Sequence, residues 1–94
     1  MANVVVTIKM MPDSPDTNLE EVGQKIEEVV KEFGKLYKKS TQPVAFGINA
    51  MVYAVIMAEK EGGTDPIEEA LKKVDGVSDV QVTDVTRIVD VEDL

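Results

Sequence analysis

The apolar residues of this chain change their spacing twice in the same way, and this double switch limits the folds the chain can adopt. In residues 3–11 one apolar row occupies every second position: Val4, Val6, Ile8 and Met10. That period is typical of a β-strand with one buried face. From Leu19 to Phe33 the apolar residues recur at every third or fourth position, which is typical of an amphipathic helix.

Turn-forming and capping residues set the limits of this first helix. The segment 12–16 is rich in proline, aspartate and serine, so it predicts a turn that ends the first strand. Thr17 and Glu20 have the spacing of a capping box, which predicts Thr17 as the residue that caps the helix. Gly34 is expected to end the helix, since glycine commonly follows the last helical turn.

The middle of the chain predicts two more strands. Residues 35–42 are polar and rich in lysine, so we expect a short edge strand whose charges hinder unwanted pairing. The run from Val44 to Met57 is almost entirely apolar and rich in β-branched and aromatic residues, which favours one long strand at the centre of the sheet. Its alanines and methionines leave a helix as the alternative.

That long strand has no polar face. Met51, Tyr53 and Val55 share one side of it, and Phe46 and Ile48 belong to the other. The first three residues are interpreted either as ordinary surface residues, partly covered by long neighbours, or as a docking surface for another protein.

The second half of the chain repeats the switch from strand to helix to strand. A second helix is expected with Asp65 as its N-cap, Pro66 in the first helical position and Gly76 beyond its end. The last strand runs from residue 77 to about residue 89. Its alternation changes phase at Asp84–Val85, which predicts a β-bulge there.

These elements predict an α+β fold, the ferredoxin-like βαββαβ sandwich. Each half of the chain has the length of a split βαβ unit, and right-handed crossovers place both helices on one face of a four-stranded antiparallel sheet. We expect residues 1–94 to form a single domain, with residues 90–94 as a frayed acidic tail.

The composition excludes several kinds of chemistry. The chain has no cysteine and no histidine, so thiolate nucleophiles, histidine-based triads and the usual zinc sites are ruled out, and we expect no metal and no cofactor. The formal net charge of -8 disfavours direct binding of nucleic acid through bulk charge. Without an apolar run long enough to span a bilayer or a signal peptide, we expect a cytoplasmic protein that does not bind membranes.

The charges are unevenly placed along the chain. Lysines cluster around the expected second strand at positions 31, 35, 38 and 39, whereas acidic residues crowd positions 90–93. The cluster is interpreted either as a solvated face or as a patch that orients a larger partner and speeds its association.

Four segments carry a resemblance to a known family. They are V-V-V-T-I-K-M-M-P-D-S-P-D (4–16), P-V-A-F-G-I (43–48), E-G-G-T-D (61–65) and V-T-D-V-T-R-I (82–88). In this order and spacing the chain closely resembles archaeal translation elongation factor 1-beta over nearly its whole length. The resemblance implies a guanine-nucleotide exchange factor whose partner is elongation factor 1-alpha, the GTPase that delivers aminoacyl-tRNA. Such a factor is not an enzyme with bond chemistry of its own.

The resemblance also implies which residues contact the GTPase. In the related eukaryotic exchange domain a phenylalanine of a Phe-Gly pair packs on the GTPase, and Phe46 and Gly47 match that pair. Packing of Phe46 in the core is the alternative. A lysine near the end of the related domain disturbs the Mg²⁺ and phosphate site, but the matching position here is Asp90, so Arg87 is the nearest basic candidate. The remaining residues of the expected contact surface are Ala45, Ile48, Asp84 and Val89.

Two other functions are compatible with the sequence. The first is a regulatory domain that binds a small molecule, dimerises through its sheet and uses the turn at Gly62 and Gly63. The second is catalysis by the acidic residues Asp13 and Asp16, which solvated surface carboxylates explain more simply.

Overall fold

Four strands and two helices alternate along the chain in the predicted order. The computed structural model describes residues 3–14, 16–45, 47–58 and 63–88. The elements are β1 (Asn3–Pro12), α1 (Leu19–Phe33), β2 (Lys35–Ala45), β3 (Ile48–Ala58), α2 (Asp65–Lys72) and β4 (Val77–Ile88). The strands form one antiparallel sheet in the order β2-β3-β1-β4. This arrangement confirms the ferredoxin-like fold.

The core lies between the two helices and one face of the sheet. The inward row of β1 is buried as predicted, and each of its members pairs with a buried residue of β3: Val4 with Met57, Val6 with Val55, Ile8 with Tyr53, and Met10 with Met51. The helices contribute Val22, Ile26 and Val30 from α1 and Ile67 and Leu71 from α2. Each large side chain buried in this way contributes about 1.5–3 kcal/mol of hydrophobic free energy.

This register corrects the interpretation of Met51, Tyr53 and Val55. They are not ordinary surface residues and do not form an open, uncovered sheet face, because they face the helices and are at most 5% exposed. The alternation within β3 gave two apolar faces of similar character, so periodicity alone did not distinguish the covered face. Pairing with the buried row of β1 decides between them.

Asn18, and not Thr17, caps the first helix. The Asn18 Oδ1 atom accepts hydrogen bonds from the backbone N–H groups of Glu20 at 3.0 Å and Glu21 at 3.2 Å. The Thr17 Oγ1 atom accepts instead from the Ser14 N–H at 3.1 Å, within the preceding turn. The predicted capping box is therefore wrong. The prediction that the helix ends at Gly34 is confirmed, and the Gly34 N–H donates to the Val30 carbonyl at 2.8 Å.

The second helix begins and ends one turn or less from its predicted limits. Thr64 occupies the N-cap position and Asp65 is the first helical residue, so the N-cap prediction is wrong by one position. The Thr64 Oγ1 atom donates to Glu68 Oε2 at 3.1 Å. The helix ends at Lys72, and the chain turns into β4 through Gly76, whose φ of +96° favours glycine.

The apolar run that predicted one long strand contains the end of β2, a reversal and all of β3 except its last residue, Ala58. Ala45 pairs with Ile48, and Gly47 adopts a φ of +77° between them. The predicted edge strand over 35–42 is therefore longer, ending at Ala45, and it does lie at the edge of the sheet. The central position of β3 is also confirmed. The reversal escaped prediction because the residues on both sides of it are equally apolar.

The bulge predicted near Asp84–Val85 is present in β4. Thr7 pairs with Asp84 and Ile8 with Val82, so Thr83 is left without a partner in the register. Thr83 Oγ1 donates to the Thr7 carbonyl at 3.3 Å and holds the bulge against β1. No helix in the part of the chain that the structure describes is long and apolar enough to cross a membrane.

Candidate functional site

A two-stranded arm carries the first group of expected contact residues. The pairing of β3 with β1 stops at Met51, whereas its pairing with β2 continues to Ile48. We call residues 43–49 the arm, since its described β3 residues pair with β2 and not with β1. Val44 on the arm is 46% exposed, and Asn49 is exposed as well. The arm thus offers accessible apolar surface at one end of the sheet.

The tip of the arm is open around Gly47. A Cβ atom placed on Gly47 would meet no atom of the described residues within 4 Å, apart from its two chain neighbours. Gly47 is exposed and Ile48 is half-buried. Phe46 lies outside the described residues, as does the side chain of Ala45. The accessible neighbours of Phe46 are compatible with its expected role in binding.

The second group of expected contact residues lies on β4. Asp84 pairs with Thr7 and its Oδ2 atom accepts a hydrogen bond from Thr86 Oγ1 at 2.9 Å. Arg87 pairs with Val4, which faces the helices. Asp84 and Arg87 are both exposed, but they leave the sheet on opposite faces because their β1 partners do. Val89, Asp90 and the acidic tail lie outside the described residues.

The arm and the Arg87 region lie at opposite ends of the sheet. Arg87 is level with Val4, which pairs with Met57, and Met57 is nine residues along β3 from Ile48. At roughly 3.3 Å per residue this separation is about 30 Å. The longest dimension of the protein is 41 Å. The described contact residues of the arm are therefore separated from Asp84 and Arg87, which lie on opposite faces of the sheet, and a partner that touches both the arm and Arg87 must extend along most of the sheet.

A pocket that sequence reasoning missed lies between the first turn of α1 and the strands β2 and β3. Its volume is about 340 Å³, and it is lined by Leu19, Glu20, Lys39, Ser40, Thr41, Met51 and Tyr53. These residues come from three elements, and no motif joins them in the sequence. Only the turn that sets α1 against the sheet brings them together.

An ion pair and a buried tyrosine give the pocket its polar character. Lys39 Nζ donates to Glu27 Oε2 at 3.1 Å, and this hydrogen bond and the carboxylate charge raise the pKa of Lys39. Burial raises the pKa of the Tyr53 hydroxyl; the Glu27 charge adds to the increase and Lys39 opposes it. The surroundings of Tyr53 therefore favour its neutral form.

A glycine in α1 makes room for this tyrosine. A Cβ atom on Gly23 would lie 2.7 Å from Tyr53 Oη, much closer than ordinary contact. Gly23 is buried in the middle of the helix, where glycine is otherwise unfavourable. Its presence is thus explained by the close approach of the Tyr53 hydroxyl to the helix backbone.

The lysine cluster lies around the β2 edge as expected. Lys31, Lys35 and Lys38 are exposed, and Lys38 Nζ is 5.9 Å from the centroid of the exposed Tyr37 ring. The carboxylates of Asp13 and Asp16, considered for catalysis, belong to exposed residues. Gly63 has a φ of +58° in an exposed turn, and Gly62 lies outside the described residues.

Comparison with known proteins agrees with this architecture. Residues 5–88 match the family model described as the EF-1 guanine nucleotide exchange domain. This match defines the class of the protein: its ferredoxin-like domain is a guanine-nucleotide exchange domain of the translation elongation factor type. The chain belongs to the EF-1 guanine nucleotide exchange domain family, among relatives that are named elongation factor 1-beta.

Three such relatives match over nearly their whole length. The protein of Methanothermobacter thermautotrophicus is 44% identical over 88 residues, which cover 94% of this chain and 99% of the relative. The Methanosarcina barkeri protein is 45% identical over 89 residues, which cover 94% of this chain and 100% of the relative. The Metallosphaera sedula protein is 42% identical over 89 residues, which cover 94% of this chain and 98% of the relative. The expected resemblance to archaeal elongation factor 1-beta is confirmed.

A solved structure supports the fold alone. The ACT domain from the GTP pyrophosphokinase of Chlorobium tepidum superimposes with a TM-score of 0.61 and covers 86% of this chain and 99% of its own. Its sequence is 18% identical. A fold of this type is used for many functions, so this likeness does not favour the small-molecule alternative. The family places the chain in translation elongation, with a role in guanine-nucleotide exchange.

Proposed function

We propose that this protein binds the GTPase elongation factor 1-alpha and promotes the release of its GDP, so that GTP can enter. The observation that carries the proposal is the exposed arm within a chain whose family is an exchange domain. An exchange factor acts by binding the nucleotide-free GTPase more tightly than the nucleotide-bound form. Reversing such an equilibrium takes about 5 kcal/mol of differential affinity, which a few well-placed contacts supply.

The arm provides the anchor in this proposal. Phe46 fills an apolar pocket of the GTPase, and its sequence neighbours Ala45, Gly47 and Ile48 contact the GTPase around that pocket. Aromatic side chains often dominate the binding energy of an interface, because they bury a large area at a low cost in conformational entropy. The exposure of Val44 and Gly47 supports this assignment.

The opposite end of the sheet acts on the nucleotide site. Asp84, Arg87 and Val89 contact the GTPase there. By the strand spacing, Arg87 lies about 30 Å and Asp84 about 20 Å along the sheet from Ile48. Arg87 supplies the positive charge that related domains place at the position of Asp90. Two separated contacts favour one orientation of the GTPase, so binding at the arm can direct Arg87 toward the phosphate and Mg²⁺ region.

The remaining parts of the proposal follow from this mechanism. The protein makes and breaks no covalent bonds and needs no cofactor, since the GTPase holds the nucleotide. Its partner is a protein rather than nucleic acid or a membrane, and it works in the cytoplasm where translation takes place.

The test is the rate of GDP release with variants at the two ends. Phe46→Ala is expected to raise the concentration needed for half-maximal release by about tenfold or more, as for a hot-spot residue. Arg87→Ala is expected to lower the maximal release rate more than the binding affinity. Tyr37→Ala is the matched control, because it removes an exposed aromatic residue of β2 outside the arm.

Circular dichroism and thermal melting verify that each variant is folded. Wild-type kinetics in a folded Phe46→Ala variant would overturn the anchor assignment. A loss of activity in Tyr37→Ala equal to that in Phe46→Ala would also contradict it, since the effect would then not be specific to the arm.

A further inference from the structure

The pocket between α1 and β2 has no role in the mechanism above. Its apolar lining residues are Leu19 and Met51, and three lining residues carry hydroxyl groups: Ser40, Thr41 and Tyr53. Its volume of about 340 Å³ exceeds that of any single side chain but lies at the lower end of ligand sites. It is therefore suited to one large side chain and part of its backbone.

The Tyr53 hydroxyl is a polar group without a partner at this site. Tyr53 is 5% exposed, yet its Oη atom makes no hydrogen bond within the part of the chain that the structure describes. No fully buried side-chain oxygen or nitrogen in that part lacks a partner, so the Oη atom is not completely shielded from solvent. Tyr53 is one of the residues that line the pocket. Buried tyrosine hydroxyls usually find a hydrogen-bonding partner. The pocket thus offers one position for a polar atom of an occupant.

The charges near the pocket disfavour a strongly charged occupant. The Lys39 ammonium group is already paired with Glu27, and Glu20 is an exposed residue of the first helical turn. An anion would have to compete with Glu27 for Lys39 in the presence of Glu20. A cation would compete with Lys39 for Glu27. A neutral group with an apolar body and one polar atom meets neither obstacle.

The walls of the pocket continue directly into the arm. Thr41 pairs with Met51, and the pair Pro43 with Asn49 follows two residues later. Thr41 and Ala45 are four residues apart, which is about 13 Å along the strand. A standard interface covers about 800 Å² on each partner, a footprint far wider than this distance. A protein that holds the arm from the side of the sheet that carries the helices therefore also covers the mouth of the pocket.

We infer that this pocket receives a neutral, partly apolar side chain of the GTPase, with a hydrogen bond to the Tyr53 hydroxyl, as a second anchor beside the arm. The inference rests on the proposed function, since it takes the GTPase as the occupant. Phe46 inserts into the GTPase, and the GTPase inserts into this pocket. Such reciprocal insertion fixes the angle of the arm more firmly than a single anchor does.

Methyl NMR of methionine-labelled protein tests the occupant directly. The Met51 methyl group reports on the pocket, and the buried Met57, six residues farther along β3, is the internal control. Adding nucleotide-free elongation factor 1-alpha is expected to shift the Met51 resonance much more than that of Met57. An unchanged Met51 resonance at saturation would overturn the inference. A shift caused by free GDP alone would assign the pocket to a small molecule and would also overturn it.

Filling the pocket tests its importance for exchange. Thr41→Phe places an aromatic ring at an exposed strand position on the pocket side, where phenylalanine is tolerated. The concentration for half-maximal GDP release is expected to rise by about tenfold, whereas Gln24→Phe, on the exposed surface of α1, leaves it unchanged. Tyr53→Phe is expected to raise the concentration for half-maximal GDP release by about threefold to tenfold, because one hydrogen bond to the GTPase is lost.

The two proposals fail in different ways. If the wild-type protein accelerates release and folded Thr41→Phe does so at the same concentrations, the pocket inference is wrong and the proposed function stands. If the wild-type protein does not accelerate release from an active GTPase, the proposed function itself fails.

Discussion

Replacing Gly23 by alanine should destabilise this protein, although alanine is the better helix former. Gly23 lies within α1, and its added Cβ atom would be 2.7 Å from Tyr53 Oη. Ordinary contacts begin near 3.4 Å, so the overlap is about 0.7 Å. The Tyr53 ring is buried in the core and cannot move away without disturbing its neighbours.

The expected size of the effect combines two opposing contributions. Alanine instead of glycine in a helix interior stabilises by about 1 kcal/mol. Forcing an extra carbon into a packed region costs about 1–3 kcal/mol. The net change is therefore a loss of about 0–2 kcal/mol. In a Tyr53→Phe background the hydroxyl is absent, so the same substitution should stabilise by up to about 1 kcal/mol.

Urea unfolding of the four proteins in this double-mutant cycle gives the coupling free energy between the two sites. We expect about 1–3 kcal/mol, with the effect of Gly23→Ala changing from neutral or unfavourable to favourable. Equal stabilisation by Gly23→Ala in both backgrounds would refute the steric explanation. It would mean that Tyr53 does not press on the helix at this position.

Asn18, Gly47 and Tyr53 each allow one further test. Asn18→Ala should lower the free energy of unfolding by about 1 kcal/mol and speed amide exchange at Glu20 and Glu21, because both amides lose their acceptor. Thr17→Ala should leave both amides protected, and hydrogen-exchange NMR distinguishes the two variants. Gly47→Ala should cost about 1 kcal/mol in urea unfolding through backbone strain alone, since its Cβ meets no atom of the described residues beyond its chain neighbours and φ is +77°. Burial raises the pKa of Tyr53 above the ordinary value of 10.0, so its contribution to stability is complete below pH 10.0 and is lost as the pH rises through the raised pKa. The melting temperature should therefore decrease less steeply with rising pH for Tyr53→Phe than for wild type. Identical slopes of melting temperature against pH would contradict a raised pKa of Tyr53.

The elements with a clear hydrophobic period could be predicted from the sequence. The inward row of β1, the stripe of α1 and the bulge in β4 all follow from local spacing. The reversal at Gly47 could not, because it falls within a largely apolar run whose Val44, Phe46 and Ile48 favour a strand. The choice between Thr17 and Asn18 as a cap also depends on a contact outside the helix, the bond from the Ser14 N–H to Thr17.

The expected contact residues rest on a different kind of signal. Phe46, Gly47 and Arg87 were identified through the family resemblance, since no periodicity marks them as binding residues. The separation of the arm from Arg87 required the register of the sheet, which places Ile48 and Arg87 at opposite ends. The pocket at Tyr53 has no local sequence signal, because its lining residues meet only through tertiary packing.

The central claim is tested most directly by the release of a fluorescent GDP analogue from elongation factor 1-alpha. The GTPase is loaded with the analogue in the presence of Mg²⁺, and the protein is titrated against excess unlabelled nucleotide. The account predicts a large acceleration of release that saturates with concentration. Release at the uncatalysed rate, with a folded protein and an active GTPase from the same organism, would contradict it.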